Sequence, residues 1–356
     1  MSGNRDISTA LAEDIMQAAA DNSPLYLHGH NSKSFYGRSC DAQPFDVSGH
    51  SGIIDYDPSE LVITARAGTS LHEIETTLAE QRQCLAFEPP HFGDSTLGGC
   101  IATGLSGPRR PHAGAARDFV LGTRCINGRG EILSFGGQVM KNVAGYDVSR
   151  LMCGALGTLG VLLDVSLKVL PVDEYSVTRV SECPDSDAIQ HMNTLAGRPL
   201  PLTAAAWHDN RLYLRLSGNR AAVEAASKKL AGDLMGEDDA RTFWQSLRDQ
   251  QHAFFAGDAP LWRLSLPPAT LALHIEGELL IDWGGAQRWY RSHESADVIR
   301  TLCSQHGGHA TLFRHGDRNS DVFQPLAPGL AQLHRSLKQA FDPHGLFNPG
   351  HMYRDW

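Results

Sequence analysis

The chain has 356 residues, of which 42% are hydrophobic and 20% charged, and its formal net charge is -9 at pH 7. This length favours two packed regions over one small core, and the composition excludes a disordered chain. Because no Lys/Arg block alternates with aromatic residues, the sequence also excludes nucleic acid as a partner.

The N-terminus and the cysteines predict a cytosolic protein. Residues 1–6 are polar where a signal peptide needs an apolar run, and no later stretch is apolar for long enough to span a bilayer. The seven cysteines are widely spaced and form no CxxC pair, which is typical of reduced thiols. We therefore expect a soluble, cytoplasmic chain without an iron–sulphur cluster of its own.

Helical and strand patterns alternate in the first part of the chain. They predict, in order, a capped helix at 8–16, a strand at 25–27 that enters a turn-rich loop at 28–33, two strands at 53–58 and 61–66, and a helix capped near Thr69 or Ser70. The first strand is thus expected to deliver a tight loop.

Glycine-rich stretches follow. Residues 92–107 lose all periodicity and carry five glycines, which costs backbone entropy unless something approaches the backbone closely. A hairpin is predicted over 119–133, with its turn at 127–130. A second glycine-spaced run, 154–160, leads into an alternating strand at 161–169.

The pattern changes beyond Pro171. A strand at 211–216 and an alanine-rich helix at 221–230 predict a second α+β domain. A last helix from about 329 to 341 runs into a proline-stiffened tail, which we expect to return to the first domain. The predicted organisation is a domain at 1–172, a second domain at 173–328 and a C-terminal helix and tail at 329–356.

Three glycine-rich loops in one half of the chain indicate a site for a dinucleotide. Converging backbone amides can hold a diphosphate without many lysines. No GxGxxG opens a helix after the first strand, and no GxxxxGK[ST] occurs, so Rossmann and P-loop binding are disfavoured.

The order of these motifs resembles a known family. The segments are 28–33, 94–99, 117–122, 154–161 and the tail from 341 to 350. In this order they are similar to the FAD-binding half of the flavoproteins typified by p-cresol methylhydroxylase (PCMH) and vanillyl-alcohol oxidase. The resemblance implies an α+β fold, with a PCMH-type FAD-binding domain and a second, smaller α+β cap domain of ferredoxin-like type.

A narrower resemblance spans nearly the full length. The segments 107–111, 139–147 and 309–314 are most similar to the FAD-binding E subunits of bacterial glycolate oxidases. This similarity implies a heteromeric complex that oxidises glycolate to glyoxylate, with a sister FAD-binding subunit as substrate oxidiser and an iron–sulphur subunit as electron acceptor. The chain would then relay electrons, meet the small 2-hydroxy acid only indirectly, and lie peripherally at the inner membrane through its complex.

The resemblance also implies which residues contact the cofactor. In the family, the first loop holds the pyrophosphate through its amides, and later loops surround the pyrophosphate and the isoalloxazine. The implied cofactor residues are Gly29, His30, Asn31, Ser32, Lys33, Ser95, Thr96, Gly98, Gly99, Thr103, Gly107, Gly160 and Val161.

Two questions about this site stay open in the sequence. Relatives with covalent flavin carry their histidine at the position of Asn31, one residue after His30, so we expect noncovalent FAD, with attachment through His30 as the alternative. Lys141, Asn142, Tyr146 and Asp147 either line the flavin pocket or anchor a loop over it.

The substrate side departs from the family. Relatives that oxidise D-2-hydroxy acids carry a Glu-His-Gly motif that serves a metal, whereas this chain has Arg314, His315 and Gly316 there. An arginine cannot ligate a metal, so we expect no metal site. The alternative is a metal site formed by His306, His309 and His315. A glycine turn before a strand would explain the same residues without a metal.

The catalytic role therefore stays unassigned, with Arg314 and His315 as the candidates. Arg314 could still bind a carboxylate bidentately, which leaves a self-sufficient 2-hydroxy-acid oxidase as an alternative function. A non-catalytic assembly subunit is the other alternative.

Overall fold

The structure is a computed structural model, and it describes residues 4–137 and 147–356. Lys141, Asn142 and Tyr146, which the sequence left as pocket or anchor residues, lie outside the described residues. Asp147 is the N-cap of a short helix, where its side chain accepts a hydrogen bond from the amide of Arg150. The described chain divides into two compact units: the first comprises described residues of Met1–Leu105, Ala115–Pro171 and Arg318–Trp356, and the second Ser106–Gly114 and Val172–Asp317.

The helices of the described chain are α1 (Ser8–Ala20), α2 (Leu71–Glu80), α3 (Leu97–Thr103), α4 (Arg110–Ala113), α5 (Ala116–Phe119), α6 (Val148–Met152), α7 (Asp185–Ala196), α8 (Arg220–Ser227), α9 (Glu237–Arg248), α10 (Ala296–Gln305) and α11 (Pro328–Phe341). Two 3₁₀ helices cover Ala253–Phe255 and Trp283–Gly285.

The strands of the described chain are β1 (Leu25–His28), β2 (Gln43–Asp46), β3 (Ile53–Asp57), β4 (Val62–Arg66), β5 (Gln83–Cys84), β6 (Val120–Ile126), β7 (Ile132–Gly136), β8 (Val161–Lys168), β9 (Leu170–Pro171), β10 (Tyr175–Glu182), β11 (Leu202–His208), β12 (Arg211–Gly218), β13 (Asp233–Leu234), β14 (Leu261–Ser265), β15 (Glu278–Asp282), β16 (Gln287–Arg291) and β17 (His309–Arg314).

An antiparallel sheet in the order β3-β4-β8-β6-β7 is the centre of the first unit. Its middle strand β8 is buried over seven successive residues, because α3 packs against it and because Val161 and Leu163 share a buried cluster with residues of α1. The polar positions of the predicted alternating pattern, Asp164 and Ser166, are therefore buried as well. The sheet brings the start of β8, at Val161, next to the end of β6.

A second, smaller layer of the first unit contains both the early and the late parts of the chain. This layer contains the parallel strand pair β1 and β2. Leu25 of β1 also forms a β-bridge with Phe347 of the C-terminal tail. Leu11 and Ile15 of α1 share one buried apolar cluster with Leu25 and Phe347. The tail is therefore part of the core of the first unit.

The second unit is built on an antiparallel sheet in the order β13-β10-β12-β11-β15-β16-β14-β17. Its first four strands, with α7 and α8, have the βαββαβ sequence and the spatial order 4-1-3-2 of a ferredoxin-like motif. The last four strands, with α10, repeat that order in reverse, and the halves join where Trp207 of β11 pairs with Ile281 of β15. This mixed helix and sheet architecture confirms the predicted α+β class.

The second half-motif lacks its first helix. Between β14 and β15 the segment 266–277 is irregular and forms no helix. Arg288, which is 0% exposed, donates instead to the carbonyls of Leu271, Thr270 and Gly285. A buried guanidinium thus fixes the loop that stands where the helix would be.

Within the described residues, no helix combines the length and the apolar character needed to cross a membrane.

Candidate functional site

A cleft in the first unit gathers most of the predicted cofactor residues. It holds about 880 Å³ of non-protein space, which includes open solvent at its mouth. Four segments form its walls: the loop after β1, helix α3, the turn before β8 and the C-terminal tail. The predicted residues that line it are Gly29, His30, Asn31, Ser32, Lys33, Thr96, Gly98, Gly99, Thr103, Gly160 and Val161.

The remaining predicted residues lie elsewhere. Ser95 is buried behind the cleft, where its hydroxyl meets that of Ser32 at 2.9 Å. Gly107 belongs to the second unit, and its carbonyl accepts a 2.9 Å hydrogen bond from the indole of Trp283. Arg314 and His315 lie at and just after the end of β17 in the second unit; burial lowers the pKa of Arg314.

The loop after β1 presents a row of unused backbone donors. The amides of residues 29–33 donate to no acceptor in the described chain. Asn31 adopts a left-handed backbone, with φ of 55°, which bends the loop. A Cβ on Gly29 would lie 2.5 Å from Thr96 Oγ1, so this loop can pack against α3 only with glycine there. Successive free amides of this kind suit an anion.

Lys33 adds a half-buried cation to this loop. Its ammonium contacts Ser95 Oγ at 2.5 Å and lies 5.8 Å from the centre of the Phe92 ring. Burial lowers the pKa of Lys33, and the ammonium makes no ion pair with a carboxylate in the described part of the chain. A charge that is partly withdrawn from water and has no counter-ion is costly. An anionic ligand would supply that counter-ion.

The described lining of the cleft carries no acidic group. Among the described residues that line it, none is Asp or Glu, whereas Lys33 and three histidines are present. The chain carries a formal net charge of -9, so this local absence of carboxylates runs against the composition. The donor set fits a ligand with a negatively charged diphosphate.

Helix α3 begins directly at the cleft. Thr96 is its N-cap and accepts a hydrogen bond from the amide of Gly99 at 3.2 Å. The amide of Gly98 donates to the carbonyl of Ala67 at 2.7 Å, and a Cβ on Gly98 would lie 2.8 Å from Ala67 Cβ. Glycine at position 98 therefore lets the first turn of the helix lie against Ala67, just after the end of β4.

The C-terminal tail forms a wall that the sequence did not assign to the cofactor. Asn348 accepts a hydrogen bond from the amide of Leu27 at 2.7 Å and donates to the carbonyl of Leu156 at 2.6 Å. His351 is buried beside it, with Nδ1 at 2.7 Å from the carbonyl of Arg38, and burial lowers its pKa. The proline-stiffened tail was the sequence feature that could have indicated Asn348 and His351 as cleft residues. The sequence does not define where in the first unit the tail docks.

The structure also bears on the metal alternative. Within residues 4–137 and 147–356, no three His, Cys, Asp or Glu side chains group closely enough to hold a metal ion. His309, the first residue of β17, is exposed.

The comparisons with known proteins decide the family. Residues 8–136 match the FAD binding domain family, and residues 279–352 match the C-terminal domain of FAD linked oxidases. The glycolate oxidase subunit GlcE of Escherichia coli (strain K12) is 48% identical over 351 residues, which is 98% of this chain and 98% of that one. The chain belongs to the glycolate oxidase E-subunit family of FAD-linked oxidases.

More distant proteins resemble parts of this E-subunit chain. The glycolate oxidase subunit GlcD of Bacillus subtilis (strain 168) is 29% identical over 42% of this chain and 33% of its own length. An alkyldihydroxyacetonephosphate synthase of known structure has the same fold, with a TM-score of 0.65 and 15% identity over 95% of this chain and 75% of its own. The predicted fold class, the FAD cofactor and the class of FAD-dependent oxidoreductase are thereby confirmed.

Proposed function

We propose that this chain is the FAD-bearing subunit of a complex that oxidises glycolate to glyoxylate, and that the cleft of the first unit is its FAD site. The observation that carries the proposal is the convergence of residues 29–33, α3 and the turn before β8 on one cleft whose described lining has no carboxylate. The near full-length similarity to E. coli GlcE supplies the substrate.

Each wall of the cleft has a role in this proposal. The amides of residues 29–33 and the ammonium of Lys33 would hold the pyrophosphate, with Ser95 supporting both Ser32 and Lys33 from behind. Thr103, Gly160 and Val161 would lie nearer the isoalloxazine. When bound, FAD supplies a two-electron acceptor that can also pass electrons on singly.

We further propose that the chain relays electrons and that the main substrate site lies on a partner. Arg314 stands where a metal-binding carboxylate is expected, and an arginine neither ligates a metal nor accepts a proton at working pH. The subunit names of the E. coli and B. subtilis relatives support a sister FAD-binding subunit. An iron–sulphur subunit would accept the electrons, and the complex would place the cytoplasmic chain peripherally at the inner membrane.

A visible spectrum of the purified full chain tests the cofactor. We expect flavin bands that pass entirely into the supernatant on acid precipitation, because His30 already pairs with Asp94 at 2.9 Å and the site is proposed to hold FAD noncovalently. Colour that stays in the pellet would establish covalent attachment. A colourless protein after expression with ample riboflavin would instead establish an assembly subunit without cofactor.

Anaerobic addition of glycolate tests the relay. We expect the flavin of the isolated chain to stay oxidised and to bleach when the sister subunit is present. The second candidate is a self-sufficient oxidase, which the half-buried Arg314 favours as a carboxylate ligand. Bleaching of the isolated chain by glycolate or D-lactate would establish that candidate.

A further inference from the structure

The C-terminal helix α11 buries a charge and leaves its leucines partly exposed. Of its fourteen residues, all of them described, Lys338 is the buried one, while Leu330 and Leu333 are 45% and 55% exposed. The carboxylate partner of Lys338 is Asp342, whose side chain is 0% exposed, and Nζ lies 2.7 Å from Oδ2. Amphipathic helices usually bury their apolar face, so this arrangement needs a reason.

The contacts of Lys338 use its full donor capacity. An ammonium has three N–H donors. They meet Asp342 Oδ2 at 2.7 Å, the carbonyl of Thr158 at 2.8 Å and the carbonyl of Phe347 at 2.8 Å. Asp342 in turn accepts the amides of Leu346 at 3.0 Å and Phe347 at 2.8 Å. One buried pair therefore joins α11, the turn before β8 and the tail.

Both carbonyls are next to residues that line the cleft. Thr158 follows Gly157, and Phe347 precedes Asn348, and both of these neighbours line the cleft. The two walls already touch, because a Cβ on Gly157 would lie 2.8 Å from Asn348 Nδ2. Lys338 thus holds the turn wall and the tail wall of the cleft from behind.

We propose that Lys338 is a positioning residue for the FAD cleft, which sets the tail wall against the turn wall so that FAD binding and docking of the tail are coupled. The proposal rests on the FAD site proposed above. A buried ion pair is a weak source of stability, since apolar side chains of similar volume commonly do as well. A geometric role, in which one cation fixes three oxygens from three segments, accounts for its place here.

A double variant separates positioning from charge balance. Lys338→Met alone leaves the carboxylate of Asp342 buried without a cation and is expected to destabilise the fold. Lys338→Met with Asp342→Asn removes both charges, so it should regain part of the lost Tm while the Thr158 and Phe347 carbonyls stay without their donor. If Lys338 positions the walls, the double variant binds FAD about tenfold more weakly than wild type, or about 1.4 kcal/mol.

The matched control is a destabilising change in the same unit away from the cleft. Ile74 of α2 is 0% exposed and does not line the cleft, so Ile74→Ala should lower Tm with FAD affinity within about twofold of wild type. FAD dissociation constants would be measured by quenching of flavin fluorescence on each full chain.

Hydrogen exchange gives the readout that a merely structural role would not move. In the wild type, FAD should slow exchange of the amides of Leu346, Phe347 and Asn348, because the docked tail is selected by the cofactor. In the double variant this FAD-dependent protection should be lost. The positioning role of Lys338 would be overturned if the double variant bound FAD with wild-type affinity, or if FAD left amide exchange in the wild-type tail unchanged. Neither result would overturn the FAD site itself. A wild-type chain that binds no FAD would overturn the site as well.

Discussion

The ammonium of Lys33 lies 2.5 Å from the hydroxyl of Ser95, and this buried hydroxyl also meets Ser32 at 2.9 Å. The residue that brings positive charge to the cleft is therefore held by neutral groups. Its charge stays available to a ligand, since the described part of the chain offers it no carboxylate. Because hydrogen bonds to charged groups contribute more than neutral ones, Lys33 should dominate the affinity for a diphosphate.

We predict that Lys33→Met weakens FAD binding by about 1.5–3 kcal/mol, which is roughly ten- to a hundredfold in Kd. Fluorescence titration with FAD measures the effect. Lys228→Met, at an exposed position after α8 in the second unit, removes a lysine of the same kind and should leave Kd unchanged. Equal affinities for the wild type and Lys33→Met would show that the ammonium does not meet the cofactor.

FAD affinity should begin to fall at a lower pH than the pKa of an ordinary lysine would predict. Burial lowers the pKa of Lys33 below 10.5 in the free chain, and an anionic ligand raises it again, because the ligand favours the charged form. Affinity is then full below the lowered pKa and falls as pH rises from there towards the higher pKa of the complex. A plot of log Kd against pH tests this. Lys33→Arg, which stays charged, should remove the fall in this window.

Gly29 is predicted to tolerate no side chain. In Gly29→Ala the new Cβ would stand 2.5 Å from Thr96 Oγ1 and 2.9 Å from Thr96 Cγ2, so either the loop or the N-cap of α3 must shift. We expect loss of about 1–3 kcal/mol of stability, as in overpacked cores, together with weaker FAD binding. Gly329→Ala is the control, because nothing lies within 4 Å of its Cβ position. Thermal melts and FAD titrations measure both variants. Equal Tm values and equal FAD affinities for Gly29→Ala and Gly329→Ala would contradict the prediction.

The sequence was informative where local chemistry dictates local structure. The strand that enters the 28–33 loop was predicted at 25–27 and is found at Leu25–His28, and the predicted hairpin turn at 127–130 joins β6 to β7. The cap predicted near Thr69 or Ser70 is Ser70, which accepts the amide of Glu73 at 3.1 Å. In each case the signal lies within a few residues of the structure it describes.

The sequence was uninformative where distant segments meet. Asn348 bonds to Leu27 across 321 residues, and no periodicity near either residue encodes that contact. The same holds for Lys338, which helical spacing alone would place on a solvated face like most lysines. Gly107 shows the converse. It lies in a glycine-rich stretch of the sequence, but in the structure its carbonyl accepts a hydrogen bond from the indole of Trp283.

Arg288 should stabilise the second unit and leave the cofactor unaffected. Arg288→Met removes the donors to the carbonyls of Leu271, Thr270 and Gly285, so the loop after β14 loses its support. We expect a loss of about 3–5 kcal/mol in the free energy of unfolding, with unchanged flavin content in the folded fraction. Arg211→Met, at an exposed strand position, should cost less than about 0.5 kcal/mol. Denaturant unfolding checks both, and an equal cost would exclude this role for Arg288.

The side chain of Asn348 should contribute both to the stability of the fold and to cofactor binding. Its φ of 46° is left-handed, and its amide bridges Leu27 and Leu156, so Asn348→Ala adds backbone strain and strands a donor and an acceptor. The expected loss is about 2–4 kcal/mol of stability. Asn210→Ala, at an exposed turn with φ of 55°, imposes a similar backbone change without the bridge. The difference between the two variants therefore measures the bridge.

Asn348→Asp separates the two roles of this residue. The carboxylate still accepts the Leu27 amide and tolerates the left-handed backbone, but it cannot donate to Leu156, and it places a negative charge in a cleft whose described lining has none. We expect a variant that folds better than Asn348→Ala yet binds FAD weakly at pH 7. As pH falls through the pKa of the new carboxyl, protonation restores a donor and removes the charge, so FAD affinity should recover. FAD affinity that stays independent of pH between 4 and 8, about the range in which a carboxyl near its reference or a raised pKa titrates, would mean that Asn348 does not face the cofactor.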